Sequence, residues 1–144
     1  MREDPAMSNE PTKNWFDRGG AAYARFRPEY PPELAKFLAA TAPSTGLAVD
    51  VGCGTGQLTT QLADHFERTI GLDPSSDQLE NASMHPRVEY RCAPAERLAV
   101  DAGSADLIAA AQAAHWFDLP GFYAEVRRVA ARDAIVALLS YGVR

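Results

Sequence analysis

Three glycines alternate in the run Asp50-Val51-Gly52-Cys53-Gly54-Thr55-Gly56, which closes an apolar stretch, and a carboxylate, Asp73, ends the next apolar stretch 21 positions after Gly52. A glycine-rich turn after a buried strand lets backbone approach a ligand where any Cβ would collide. An acid at the tip of the neighbouring strand is placed to accept hydrogen bonds from a ribose bound across that turn. Together they point to a nucleoside-containing cofactor. The order Gly52-x-Gly54-x-Gly56 is one residue tighter than the dinucleotide pattern G-x-G-x-x-G, and no lysine or arginine lies nearby to neutralise a phosphate. The loop is therefore suited to a ligand without a pyrophosphate.

Elements of alternating type must hold this turn. Residues 1–13 are polar with two prolines and read as a disordered leader; residues 14–144 read as one domain, beginning with a helical cap over 14–40. Within the cap, Pro28 and Pro31 punctuate short helices before one from about Pro32 to Ala40. The first strand is Leu47 to Val51. A helix is expected from Gly56 to about Phe66, with Leu58, Leu62 and Phe66 on one stripe. The second strand, Thr69 to Leu72, leads through Asp73, placed as a helix cap, and Pro74 into a third helix ending near Met84. Val88 to Cys92 forms the third strand. Ala105 to Ala111 forms the fourth, an unbroken apolar run after Asp106 as expected of a central parallel strand. A helix from about Leu119 to Ala131 turns Phe122, Val126 and Val129 inward, and a fifth strand covers Ala134 to Leu139. This alternation predicts an α/β fold with a doubly wound parallel sheet.

Composition narrows the classes. The 144 residues suit one domain, and a hydrophobic content of 47% supports a sizeable core. A net charge of -5 and a pI near 5.1 argue against a nucleic-acid groove, because phosphate binding draws on clustered lysine and arginine. No run has the length of a membrane span and the N-terminus lacks the apolar core of a secretory signal, so a cytoplasmic protein without a membrane partner is expected. Cys53, in the glycine loop, and Cys92, after a strand, form no metal-like cluster and read as free thiols, Cys53 filling a small, close-packed position.

The pattern D-x-G-x-G-x-G carried by Asp50, Gly52, Gly54 and Gly56 resembles the first motif of the class I S-adenosylmethionine-dependent methyltransferases. Two more segments are similar to small-molecule methyltransferases related to trans-aconitate methyltransferase: Phe16-Asp17-Arg18 through Tyr23 with Arg27-Pro28-Glu29-Tyr30-Pro31, and Gln112-Ala113-Ala114-His115-Trp116-Phe117. The resemblance implies a Rossmann-like sheet of strand order 3-2-1-4-5-7-6. Counterparts of only the first five strands are recognisable, so the expectation is a domain lacking strands six and seven, with an exposed strand-five edge that invites self-association.

The same resemblance assigns roles. S-adenosylmethionine is the implied cofactor, its methionine part lying against Gly52, Cys53, Gly54 and Gly56, where a helix N-terminus favours a carboxylate. Asp50 holds the cofactor's amino group or pins the loop as a strand-end carboxylate, and both can hold at once. Asp73, followed by Pro74, takes the ribose hydroxyls. Ala95 and Glu96 lie on the adenine side, although many relatives carry aspartate where this chain has Pro94, which cannot bond the adenine amino group. Gln112 bonds the cofactor amino group or caps its loop. Tyr23, Arg27, Tyr30 and Trp116 border the substrate or pack the cap on the sheet. The sulfonium is already activated, so methyl transfer needs alignment in a dry site rather than a triad. His115 is the candidate base if the nucleophile is a hydroxyl or acidic carbon, or else a packing residue. His65 and His85 read as surface residues.

Three functions compete at this point: methyl transfer to a small organic acid or similar metabolite; a cofactor-binding module without turnover; and a nicotinamide-dependent oxidoreductase, which the glycine spacing disfavours.

Overall fold

Apolar strands alternating with helices build one parallel sheet in the computed structural model, which describes residues 30–111 and 118–139. In chain order the elements are α1 (Pro32–Thr41), β1 (Leu47–Val51), α2 (Gln57–Ala63), β2 (Arg68–Asp73), α3 (Ser76–Glu80), β3 (Val88–Cys92), β4 (Ala105–Ala111), α4 (Leu119–Val129) and β5 (Ala130–Leu139). The strands lie in the order β3-β2-β1-β4-β5, and each neighbouring pair is parallel. This is the expected fold class and order. From β1 the chain grows outward through β2 and β3, then returns to the other side of β1 for β4 and β5. The reversal falls between β1 and β4, and in such sheets the usual ligand position lies outside the carboxyl ends of the strands at that point.

Burial follows the layers. β1 is buried along its whole length, whereas the edge strands β3 and β5 are only partly covered. On one face Val49, Val51, Ile70, Leu72, Ile108 and Ala110 pack under Phe122, Val126 and Val129 of α4. On the other, Ala48, Leu107 and Ala109 meet Ala35 and Leu38 of α1 and the stripe Leu58, Leu62 and Phe66. The predicted inner faces of both long helical segments are thus in place. Val136 and Leu138 remain exposed on the edge strand β5.

Local hydrogen bonding moves several boundaries. α2 stops at Ala63, because the Arg87 guanidinium donates to the Ala63 carbonyl through Nε at 3.0 Å and Nη2 at 2.8 Å, closing the helix end while Phe66 still reaches the core. α3 is Ser76–Glu80 and not a helix from Pro74 to Met84. Its N-cap is Ser75, whose side chain accepts from the Gln78 N–H, and not Asp73. Beyond Asn81 the chain leaves the helix to send the Ser83 N–H to the Thr55 carbonyl. α4 ends at Val129, where the Arg128 and Val129 carbonyls accept from Gly103 and Ser104 N–H groups, and β5 starts at Ala130. Its register jumps from Ala105↔Ala130 to Leu107↔Ile135, with Asp133 in the left-handed region at φ 63°.

Candidate functional site

β1 and β2 carry the site side by side, with Asp50 paired to Gly71 and Val51 to Leu72. Past β1 the chain turns through Gly52, Gly54 and Gly56 at φ 70°, 58° and 86°, all in the left-handed region where an L side chain is strained. Their amides are used within the protein. Gly52 and Cys53 N–H groups donate to the Leu72 carbonyl at 2.7 and 2.9 Å, and the Gly56 N–H donates to the Cys53 carbonyl at 3.0 Å. The glycines therefore supply a left-handed backbone path rather than spare donors.

The loop and the acid are in direct contact. The Gly54 N–H donates to Asp73 Oδ2 at 2.9 Å, and the Ser75 N–H donates to Oδ1 at 2.9 Å. Asp73 is buried, so two backbone donors fix the plane of its carboxylate at the tip of β2. Asp50 is also buried, and its Oδ2 accepts from the Thr59 hydroxyl of α2 at 2.7 Å, tying the strand end to the helix that follows the loop. Cys53 is buried in the loop, with Sγ 3.7 Å from the Gly54 carbonyl, and neither Cys53 nor Cys92 is in a disulfide.

The remaining candidates divide. Pro74 is exposed, and its carbonyl accepts from Cys92 Sγ at 3.4 Å. Ala95 is buried in the core beneath α4. Glu96 Oε2 accepts from the Asp118 N–H at 2.8 Å, joining the β3–β4 connection to the start of α4. Tyr30 packs with Leu58 and Leu62, and its backbone is held at both ends: its N–H donates to Gln57 Oε1 at 3.1 Å and its carbonyl accepts from Gln61 Nε2 at 2.9 Å. Tyr23, Arg27, Gln112, His115 and Trp116 lie outside the described residues.

Sequence reasoning missed several residues that shape this site. Gln57 and Gln61 stand one turn apart on α2, a spacing that marks a shared face. Thr59, on the same helix, could have been read as a partner for Asp50. Gly71 interrupts an apolar strand, which is a sign of close approach by another group, and Tyr90 of β3 is that group. Burial, with smaller effects from Cys53 and Asp50, pushes the Tyr90 phenol above its ordinary range, so it remains a neutral donor. Among the described residues no group of His, Cys, Asp or Glu could hold a metal, and no helix is long and apolar enough to cross a membrane.

A family model described as a methyltransferase domain matches residues 49–138. A Dictyostelium discoideum protein described as a methyltransferase is 42% identical over 137 residues, covering 92% of this chain and 52% of that protein. A Saccharomyces cerevisiae protein described as an S-adenosylmethionine-dependent methyltransferase is 32% identical over 133 residues, covering 84% of this chain and 45% of its own length. The chain thus spans about half the length of these curated relatives. Among solved structures, one described as a type II methyltransferase from Anaeromyxobacter dehalogenans aligns with a TM-score of 0.78 and 48% identity, over 82% of this chain and 50% of that one.

Proposed function

The chain belongs to the class I S-adenosylmethionine-dependent methyltransferases, and from that premise we propose that it serves methyl transfer from this cofactor to a small organic acceptor, an organic acid or similar metabolite. The observation that carries the reading is the hydrogen bond between the Gly54 N–H and Asp73 Oδ2, which joins a Cβ-free cradle to a fixed carboxylate.

These residues fit the cofactor. Three glycines hold a left-handed turn that L side chains would strain, and each Asp73 oxygen keeps a lone pair beyond its backbone donor for a ribose hydroxyl. When bound, S-adenosylmethionine supplies a methyl group already activated on sulfonium, so an in-line displacement suffices. The chain's own residues then bind, orient and exclude water. Asp73, with Pro74 beside it, takes the ribose, Asp50 takes the amino group at the end of β1, and Gly52, Cys53, Gly54 and Gly56 line the methionine side. Ala95 and Glu96 border the adenine side through the connection they brace. Gln112, directly after β4, contacts the cofactor amino group. Tyr23, Arg27, Tyr30 and Trp116 border the acceptor, and His115 takes its proton where the nucleophile is a hydroxyl or an acidic carbon.

The test is transfer of a labelled methyl group by the full chain to a panel of small organic acids, with calorimetric titration against S-adenosylmethionine and NAD. Tight binding of the first with turnover supports the proposal; a preference for NAD overturns it. Binding without turnover favours a non-catalytic cofactor-binding module.

A further inference from the structure

We propose that Tyr90 is a positioning residue for the glycine loop, a strut beneath Gly56 that holds the cradle in its binding shape; this rests on the loop being the cofactor site. In the sheet Tyr90 lies beside Gly71, and Gly71 beside Asp50, so the three share one row and face α2. Gly71 makes room for the tyrosine. A Cβ there would stand 2.8 Å from Cδ1 and 2.9 Å from Cε1 of the ring, and 3.1 Å from Cys53 Sγ. The ring and the loop cysteine therefore meet over the one strand residue without a side chain.

At the far end of the ring the hydroxyl occupies the space that a Cβ on Gly56 would take. There it donates to the Ser83 carbonyl at 2.7 Å, and the Ser83 N–H donates to the Thr55 carbonyl at 2.9 Å. A closed circuit results. It runs from β3 through the phenol to the segment after α3, and from there back to the loop one residue before Gly56. Gly56 can keep its left-handed turn because the strut beneath it blocks collapse toward the sheet and the Ser83 bridge anchors Thr55. Loss of the phenol oxygen removes the bridge's anchor and opens a gap under the turn.

The loop's own cysteine reports its closure. In a Cys92→Ser background Cys53 is the sole thiol, since the chain has two cysteines. Its reaction rate with a thiol reagent reads loop opening whether or not a cofactor binds. Tyr90→Phe keeps the ring and removes the hydroxyl, while Gly71→Ala displaces the ring and leaves the tyrosine itself unsubstituted. The expected result for both is Cys53 labelling faster by about five- to tenfold and S-adenosylmethionine affinity weaker by a similar factor, the size of one lost hydrogen bond, with thermal unfolding shifted by only a few degrees. Unchanged labelling in Tyr90→Phe overturns the proposal, as does acceleration fully matched by a loss of global stability, which would make Tyr90 a packing residue. Accelerated labelling in a chain that binds no S-adenosylmethionine supports the strut and overturns the functional reading instead.

Discussion

The backbone of Gly54 and the carboxylate of Asp73 are joined by a hydrogen bond of 2.9 Å, so the loop after β1 and the tip of β2 form one rigid element. Both Asp73 oxygens act as acceptors, one for Gly54 and one for Ser75. Asparagine has a single acceptor oxygen and would turn an NH2 donor toward one of those N–H groups. Asp73→Asn is therefore expected to lose about 1–3 kcal/mol of stability in chemical denaturation and to weaken S-adenosylmethionine more than tenfold. A variant that binds the cofactor as the parent does would remove Asp73 from the site.

The strands, the glycine turn and the acid beside it are legible because each rests on a local rule, apolar run, glycine pattern or fixed spacing, whereas the strand order follows from the family resemblance. The lengths of α2 and α3 were not legible. Arg87 closes the first from 24 positions away, and the Ser83–Thr55 bond diverts the chain after the second. Apolar periodicity carries no trace of such long-range caps. Asp73 was expected to cap α3, but Ser75 stands nearer and does so, freeing the carboxylate for Gly54. Tyr90 escaped notice for a related reason. Its partner across the sheet is Gly71, and only the β2–β3 register brings the ring over the glycine.

Asp50 and Thr59 form a buried pair, hydroxyl to carboxylate, at 2.7 Å. Burying a carboxylate is costly when a donor is withdrawn, whereas serine preserves the hydroxyl. Thr59→Val is expected to destabilise the fold by about 1–3 kcal/mol, and Thr59→Ser to cost much less. Urea titrations of the two variants check this. A larger loss in Thr59→Ser than in Thr59→Val would show that the methyl group and not the hydroxyl matters at this position.

The Arg128 guanidinium binds both oxygens of Glu125 and also donates to the Leu98 and Val100 carbonyls, while the Leu98 N–H donates to Glu125 Oε1. The Arg128 hydrogen bond, helped by the Leu98 N–H, holds the Glu125 carboxyl below its ordinary value of 4.5. A depressed carboxylate adds stability above its unfolded pKa and loses it as pH falls through the folded value. The stability gap between the parent and Glu125→Gln should thus be present at neutral pH and close as pH drops below 4.5. Added salt should shrink the gap, because the pair faces solvent. A gap that persists unchanged into acid would assign it to packing.

Thr69 sits in the middle of the sheet between Ala48 of β1 and Val88 of β3, fully buried, and its hydroxyl has no hydrogen-bond partner among the described residues. Its backbone N–H is satisfied by the Arg87 carbonyl, so the side chain alone carries an unmet polar group. Valine keeps the β-branched shape that suits a strand and removes the desolvated oxygen. Thr69→Val is accordingly expected to stabilise the chain by about 1 kcal/mol, visible as a higher denaturation midpoint at unchanged slope. Because Thr69 lies at the opposite end of β2 from Asp73, cofactor affinity should stay where it is. A fall in the midpoint would mean that the hydroxyl is satisfied in the folded chain after all.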